Sequence, residues 1–249
     1  MRVVSLVPSL TETLAECGVN LVGRTRFCVH PEAAMKAIPA LGGTKDLDEA
    51  KLALLQPDLL VVDREENLPW MAERAPCRVF VSHAVSVDGM GAELRRLAAE
   101  FAAADASRAA LEDLARRYET VAAAPNARWD DARIPGTIET LQAGDATRLE
   151  YIIWKKPWMK IGPGTYIHTV LMKLGADARL PATGDKYPKF EMDELPAGTR
   201  LLFSSEPFPF AKVKEELRTL GRPAVLVDGE GYSWFGIRGL RFLESALRK

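Results

Sequence analysis

Cys28-Val29-His30 sets two soft ligands two residues apart, the first place in this chain where side-chain chemistry invites a reading. A dedicated zinc or iron site needs three or four such groups. The other histidines, His83 and His168, fall in unrelated segments, so no resident metal is expected. A lone imidazole can still serve as an axial ligand to a metal already held in a macrocycle. Acids at strand ends form a second group: Glu65 and Glu66 follow the apolar run Leu59–Val62, and Glu206 follows Leu201–Phe203. This gives the two halves a faint internal echo. Aromatics form a third. Phe27, Trp154, Trp158, Trp234 and Phe235 lie in or beside loops at element ends rather than in a helical stripe. If they converge they make a flat apolar slot, with Arg24, Lys155 and Arg238 as polar anchors. Several chemistries are missing. There is no GxGxxG after the first strand, no GxxxxGK[ST] and no GxSxG. Gly162-Pro163-Gly164-Thr165 precedes a helix and reads as a capped turn sooner than as an anion cradle.

Elements that position these residues alternate between strand and helix. Ser9 and Glu12 have capping-box spacing for a first helix that closes at Gly18. Asp46 or Asp48 caps another helix, and LLVVD (59–63) reads as a strand buried on both faces. Residues 105–124 carry Leu111, Leu114, Ala115, Tyr118, Val121 and Ala122 at the helical period, with Glu112–Arg116 and Asp113–Arg117 as acid-before-base pairs outside. Pro125 stops this helix. Residues 125–148 read as an irregular connection, and strands follow at 149–154, 200–204 and 224–227. The pattern predicts an α/β protein with mainly parallel sheets: an N-terminal lobe over 1–104, a long linking helix over 105–124 and a C-terminal lobe over 125–249.

Composition fits a soluble globular chain. Of 249 residues, 47% are hydrophobic and 27% charged, with a net charge of −1 and a pI near 6.4. That balance offers nothing to nucleic acid or an anionic membrane. Three cysteines without a CxxC do not make a disulfide framework. Met1-Arg2 runs straight into an apolar strand, so no export signal is expected at this start and a cytoplasmic location stays open.

Taken together, SLVPSLTETLAECG, VGRTRFCVHP, ALGGTKDLD, LLQPDLLVVDREEN, IWKKPWM, SSEPFPF and VDGEGYSWFGIRGL resemble the helical-backbone class of ABC-importer substrate-binding proteins, in the branch of vitamin B12, siderophore and haem receptors. The resemblance implies two Rossmann-like lobes joined by a rigid helix, with a ligand cleft between them. It also implies a periplasmic, monomeric, non-catalytic protein that carries a metal chelate such as cobalamin to a permease. Ligand contacts would come from Phe27, Cys28, His30, Trp154, Trp158, Trp234, Phe235 and Arg238. Glu65 or Glu66 on one lobe and Glu206 on the other would dock the permease. Two alternatives remain: a cytoplasmic carrier or sensor of the same fold, and an enzyme using His30, Cys28 and Glu206 as titrating groups.

Overall fold

A computed structural model describes residues 1–248. The chain divides into two compact units. The first comprises Met1–Ala84, Asp88–Val121 and Phe235–Leu240. In order it holds β1 (Val3–Ser5), α1 (Pro8–Glu16), β2 (Leu21–Arg24), α2 (Glu32–Met35), α3 (Glu49–Leu55), β3 (Leu59–Asp63), α4 (Pro69–Glu73), β4 (Arg78–Ser82), α5 (Met90–Ala98) and most of α6 (Ala106–Ala123). Its four strands are all parallel, in the order β2-β1-β3-β4. β3 is buried at every position, as a strand covered on both faces must be. Val4, Leu6, Leu41, Leu52, Leu60, Val62 and Met71 form one core cluster of this unit.

The first helix starts differently from the capping-box expectation. Pro8 occupies its first turn, and Val7 caps it without a side-chain bond. Proline suits that position because its missing N–H would have no helical partner. Ser9 Oγ is buried and finds no partner, and Glu12 is drawn away to Arg238. Of the two candidate caps for α3, Asp48 takes the role, accepting from Lys51 N at 3.0 Å. α6 is unbroken over 18 residues, buries Leu111, Leu114, Ala115, Tyr118 and Val121, and is capped where Asp105 accepts from Ser107 N. Its surface pairs are Arg108 with Glu112 and Arg116 with Asp113, so the expected Glu112–Arg116 pair is replaced.

The second unit comprises Val85–Val87, Ala122–Trp234 and Arg241–Lys249. It contains β5 (Thr137–Gln142), β6 (Arg148–Trp154), β7 (Met159–Lys160), α7 (Tyr166–Lys173), β8 (Thr199–Ser204), α8 (Lys214–Arg218), β9 (Ala224–Val227) and α9 (Gly229–Ser233). The closing helix α10 (Ile237–Leu247) begins in the first unit's last segment. Strand order is β5-β9-β8-β6-β7; β6, β8 and β9 are parallel, and the edges β5 and β7 run antiparallel. The segment read as irregular therefore contains an edge strand. β5 has only one buried residue, Leu141, so it lacks the apolar run that marks its neighbours. The core of this sheet is aromatic: Phe203, Phe210 and Phe190 pack with Ile152, Leu201 and Leu226.

Candidate binding site at the strand ends

In open parallel sheets, ligands bind outside the carboxyl ends of the strands, where the strand order reverses direction. In the first unit that point lies at β1 and β3. The loop after β3 is shaped from beneath by Asp63. Its Oδ1 accepts from Glu65 N at 2.8 Å and Glu66 N at 3.2 Å, while Ser82 Oγ donates to Oδ2 at 2.6 Å. Asn67 closes the turn, accepting from Asp63 N at 2.7 Å and donating to Thr44 O. These buried groups present Glu65 on the exposed surface and Glu66 half-buried. The next strand end brings His83 Nε2 to 3.6 Å from Glu65 Oε1.

Phe27 follows β2 and is 49% exposed, with the Arg26 guanidinium 4.9 Å above its ring. Arg26 is itself held by two bonds to Asp46. Cys28, one residue on, has no exposed surface. Its sulfur lies 3.1 Å from both Thr11 Oγ1 and Thr25 Oγ1, and burial pushes its thiol pKa up. A protonated, enclosed thiol packs the loop from inside and shows no surface to a guest. His30 is half-buried beside it. Arg24 binds the carbonyls of Met35, Ile38 and Thr25, so it fastens the α2 turn.

In the second unit the ends of β6, β8 and β9 present Trp154, Glu206 and Trp234 together with their loops. Trp154 is 40% exposed and meets Phe208 edge-on, with centroids 5.5 Å apart. Glu206 Oε1 accepts from Ser233 Oγ at 3.0 Å and from the Trp234 indole at 2.8 Å. Burial pushes the Glu206 carboxyl pKa up, and the Ser233 and Trp234 bonds only partly offset it. Trp234 is only 8% exposed, so this pair is an internal brace as well as a rim.

The expected aromatic set thus separates. Trp158 stacks parallel on Phe210 and touches Phe203 and Phe190, which makes it part of the sheet's core. Lys155 Nζ sits 5.6 Å from the Trp158 ring and pairs with Glu216. Phe235 is buried at the start of the segment that packs in the first unit. Arg238 is bound through two atoms by Glu12. Phe27 and Trp154 are exposed rings at strand ends, and Phe208 is a half-exposed one. Phe208, in SSEPFPF, is absent from the sequence-based set; its place four residues past the buried strand β8 is the available signal. Gly162 N donates to Lys186 O, so that turn spends its amide on backbone pairing. Among the described residues, no cluster of three or more His, Cys, Asp or Glu could hold a metal ion, and no helix is long and apolar enough to cross a membrane.

No family model and no curated protein matches this chain. Solved structures do. The periplasmic vitamin B12 binding protein BtuF of Vibrio cholerae superposes over 99% of this chain and 95% of its own, with a TM-score of 0.66 at 15% identity. The periplasmic heme-binding protein RhuT of Roseiflexus sp. RS-1 covers 99% and 96%, with a TM-score of 0.69 at 17% identity. A periplasmic heme binding protein of Pseudomonas aeruginosa covers 98% and 90%, with a TM-score of 0.67 at 22% identity. The chain has the fold of these binding proteins from end to end.

Proposed function

We propose that this chain is the substrate-binding protein of an ABC importer and that its cargo is a metal chelate with a broad flat face, a cobalamin or haem before a ferric siderophore. The observation that carries this is the near-complete superposition on periplasmic vitamin B12 and heme binding proteins. The strand-end chemistry agrees with it. Trp154 with Phe208, and Phe27, supply ring faces at loops where an open α/β sheet receives ligands. In this reading His30, half-buried beside Phe27, is the candidate axial ligand.

Docking to the permease falls to acids at the same strand ends. Glu65 is exposed, and Glu66 stands beside it on a loop whose backbone is held from beneath by Asp63. Glu206 commits Oε1 to Trp234 and Ser233 and keeps Oε2 for an arginine. This reading makes the protein extracytoplasmic and non-catalytic.

Visible-band titration of the purified protein with cyanocobalamin, hemin and a ferric hydroxamate tests it. One of the three should shift its absorption band and quench tryptophan emission, and Trp154→Ala should weaken that binding about tenfold. Spectra unchanged by all three would overturn the proposal.

A further inference from the structure

A concavity of about 440 Å³ opens on the second unit, away from the loops described above. Arg200, Val225 and Thr140 line it, with Asp131, Arg133 and Asp145 at its margins. Arg200 is the second residue of β8 and Val225 the second of β9, so the hollow lies toward the amino ends of these strands. The strand-end aromatics occupy the carboxyl ends. The two locations belong to different ends of one sheet.

Its charge arrangement is incomplete. Arg200 is 4% exposed. Its Nη2 donates to Gly144 O at 2.6 Å, and its Nε stands 3.2 Å from Asp131 Oδ1 but off the line of a hydrogen bond, leaving that buried N–H unsatisfied. Asp131 is already engaged. Oδ1 accepts from the Trp129 indole at 2.9 Å and Oδ2 from Arg179 Nη1 at 2.7 Å. Two guanidinium groups therefore share one carboxylate, Arg200 almost wholly buried and Arg179 part-exposed. Burying an uncompensated charge is costly, and a desolvated guanidinium recruits an oxyanion in a charge-assisted contact. On the exposed margin stand Arg133 and Asp145, of opposite charge, and Asp130 is exposed, its carboxylate accepting from Ala132 N. The volume falls within the usual range of small-molecule pockets and exceeds the needs of a bare inorganic ion.

We propose that this hollow is a second binding site, for a small organic anion bearing a carboxylate or phosphate group, held by Arg200 from the floor and Arg133 from the rim. The Thr140 hydroxyl lies on the same wall as a further donor. Such a site is independent of any chelate bound at the carboxyl ends of the strands.

The test is amide chemical-shift titration of the isotope-labelled full chain with inorganic phosphate and, separately, with citrate. Saturable shifts confined to residues 131–145 and the start of β8 are expected, with a dissociation constant of about 1 mM for the better of the two. Arg133→Gln, on the exposed rim, should weaken binding about tenfold, and Thr140→Trp should abolish it by filling the space. Either variant leaves the Arg200–Asp131–Arg179 cluster intact, so folding is preserved. Saturation by phosphate alone or by citrate alone supports the site and identifies the preferred group. Absence of saturation with both anions, or binding indifferent to both variants, overturns it. Chelate binding read in the visible band should be unchanged by Thr140→Trp, which separates failure of this site from failure of the cargo assignment.

Discussion

Arg238 and Glu12, 226 positions apart, meet as a two-bond guanidinium–carboxylate pair with both contacts at 2.7 Å. Glu12 is buried in α1, and its partner lies in the first turn of α10. Beside it, Ile237 N donates to Thr13 Oγ1, and Tyr118 OH donates to Gly236 O at 2.8 Å. Gly236, with φ of 96°, approaches Thr13 so closely that a Cβ there would sit 2.2 Å from its hydroxyl. Four hydrogen bonds from three residue pairs thus fix the segment Phe235–Leu240 within the first unit.

Removing Arg238 strands Glu12 in a buried position, whereas removing Glu12 leaves an arginine that still reaches solvent. Arg238→Ala should therefore lower stability by about 3 kcal/mol and Glu12→Ala by less, since an unpaired buried charge costs more than the pair contributes. Urea unfolding of Glu12→Ala, Arg238→Ala and the double variant gives the coupling directly. A double variant as unstable as the sum of the singles would show that the pair is energetically idle.

Glu206 makes the second unit sensitive to pH. Its folded pKa is raised above the ordinary carboxylate value, chiefly by burial. In the window between the unfolded and the folded pKa, the folded state holds a proton that the unfolded state has released. Stability therefore falls as pH rises through that window. Glu206→Gln keeps an oxygen acceptor for the Trp234 indole and removes the titration. Tryptophan emission should change with pH above about 4.5 in the parent chain and stay flat in the variant.

Asp131 has the opposite sign. Burial alone would raise its pKa, but the Trp129 indole, Arg179 and Arg200 together hold it below the ordinary value. Its contribution is present above the unfolded pKa and lost as pH falls through the folded one. Asp131→Asn should cost about 2 kcal/mol at neutral pH. The two unfolding curves should converge as the medium becomes strongly acidic, which thermal melts across pH will show.

The three thiols should separate by reactivity. Burial raises Cys17 to about 11, helped by the charge of Glu16, and Cys28 is raised and enclosed. Cys77 is only half-buried. Thiolate attack requires both ionisation and access. A chromogenic disulfide reagent should therefore label Cys77 first, and label the other two only on unfolding.

Much of this could be read from the residues alone. β3 is legible as a four-residue apolar run closed by Asp63, and α6 as a stripe that the packed chain buries almost as written. Thr165 caps α7 as its spacing suggested, accepting from His168 N. What stayed hidden depends on partners far along the chain. Nothing local distinguishes Glu12 as half of a buried pair from Glu12 as a capping-box residue. Arg238 likewise carries a side chain that suits a ligand anchor until Glu12 takes it. Trp154 ends β6 and Trp158 lies four residues on in the turn that follows, yet one is exposed beside Phe208 while the other stacks against the aromatic core. Position beside a strand end said where a ring could be, and only the packing of Phe203 and Phe210 decided which ring was left over. β5 was obscured because an edge strand with one buried residue has little apolar signature to show.

The turn after β3 takes its form from Asp63, Asn67 and Ser82, all buried, beneath the two carboxylates it displays. Glu65 also reaches His83 Nε2 at 3.6 Å, a contact that its neutralisation would weaken. Glu65→Gln and Glu66→Gln, made one at a time, leave those buried bonds in place, so the shape of the turn outlasts the loss of either charge.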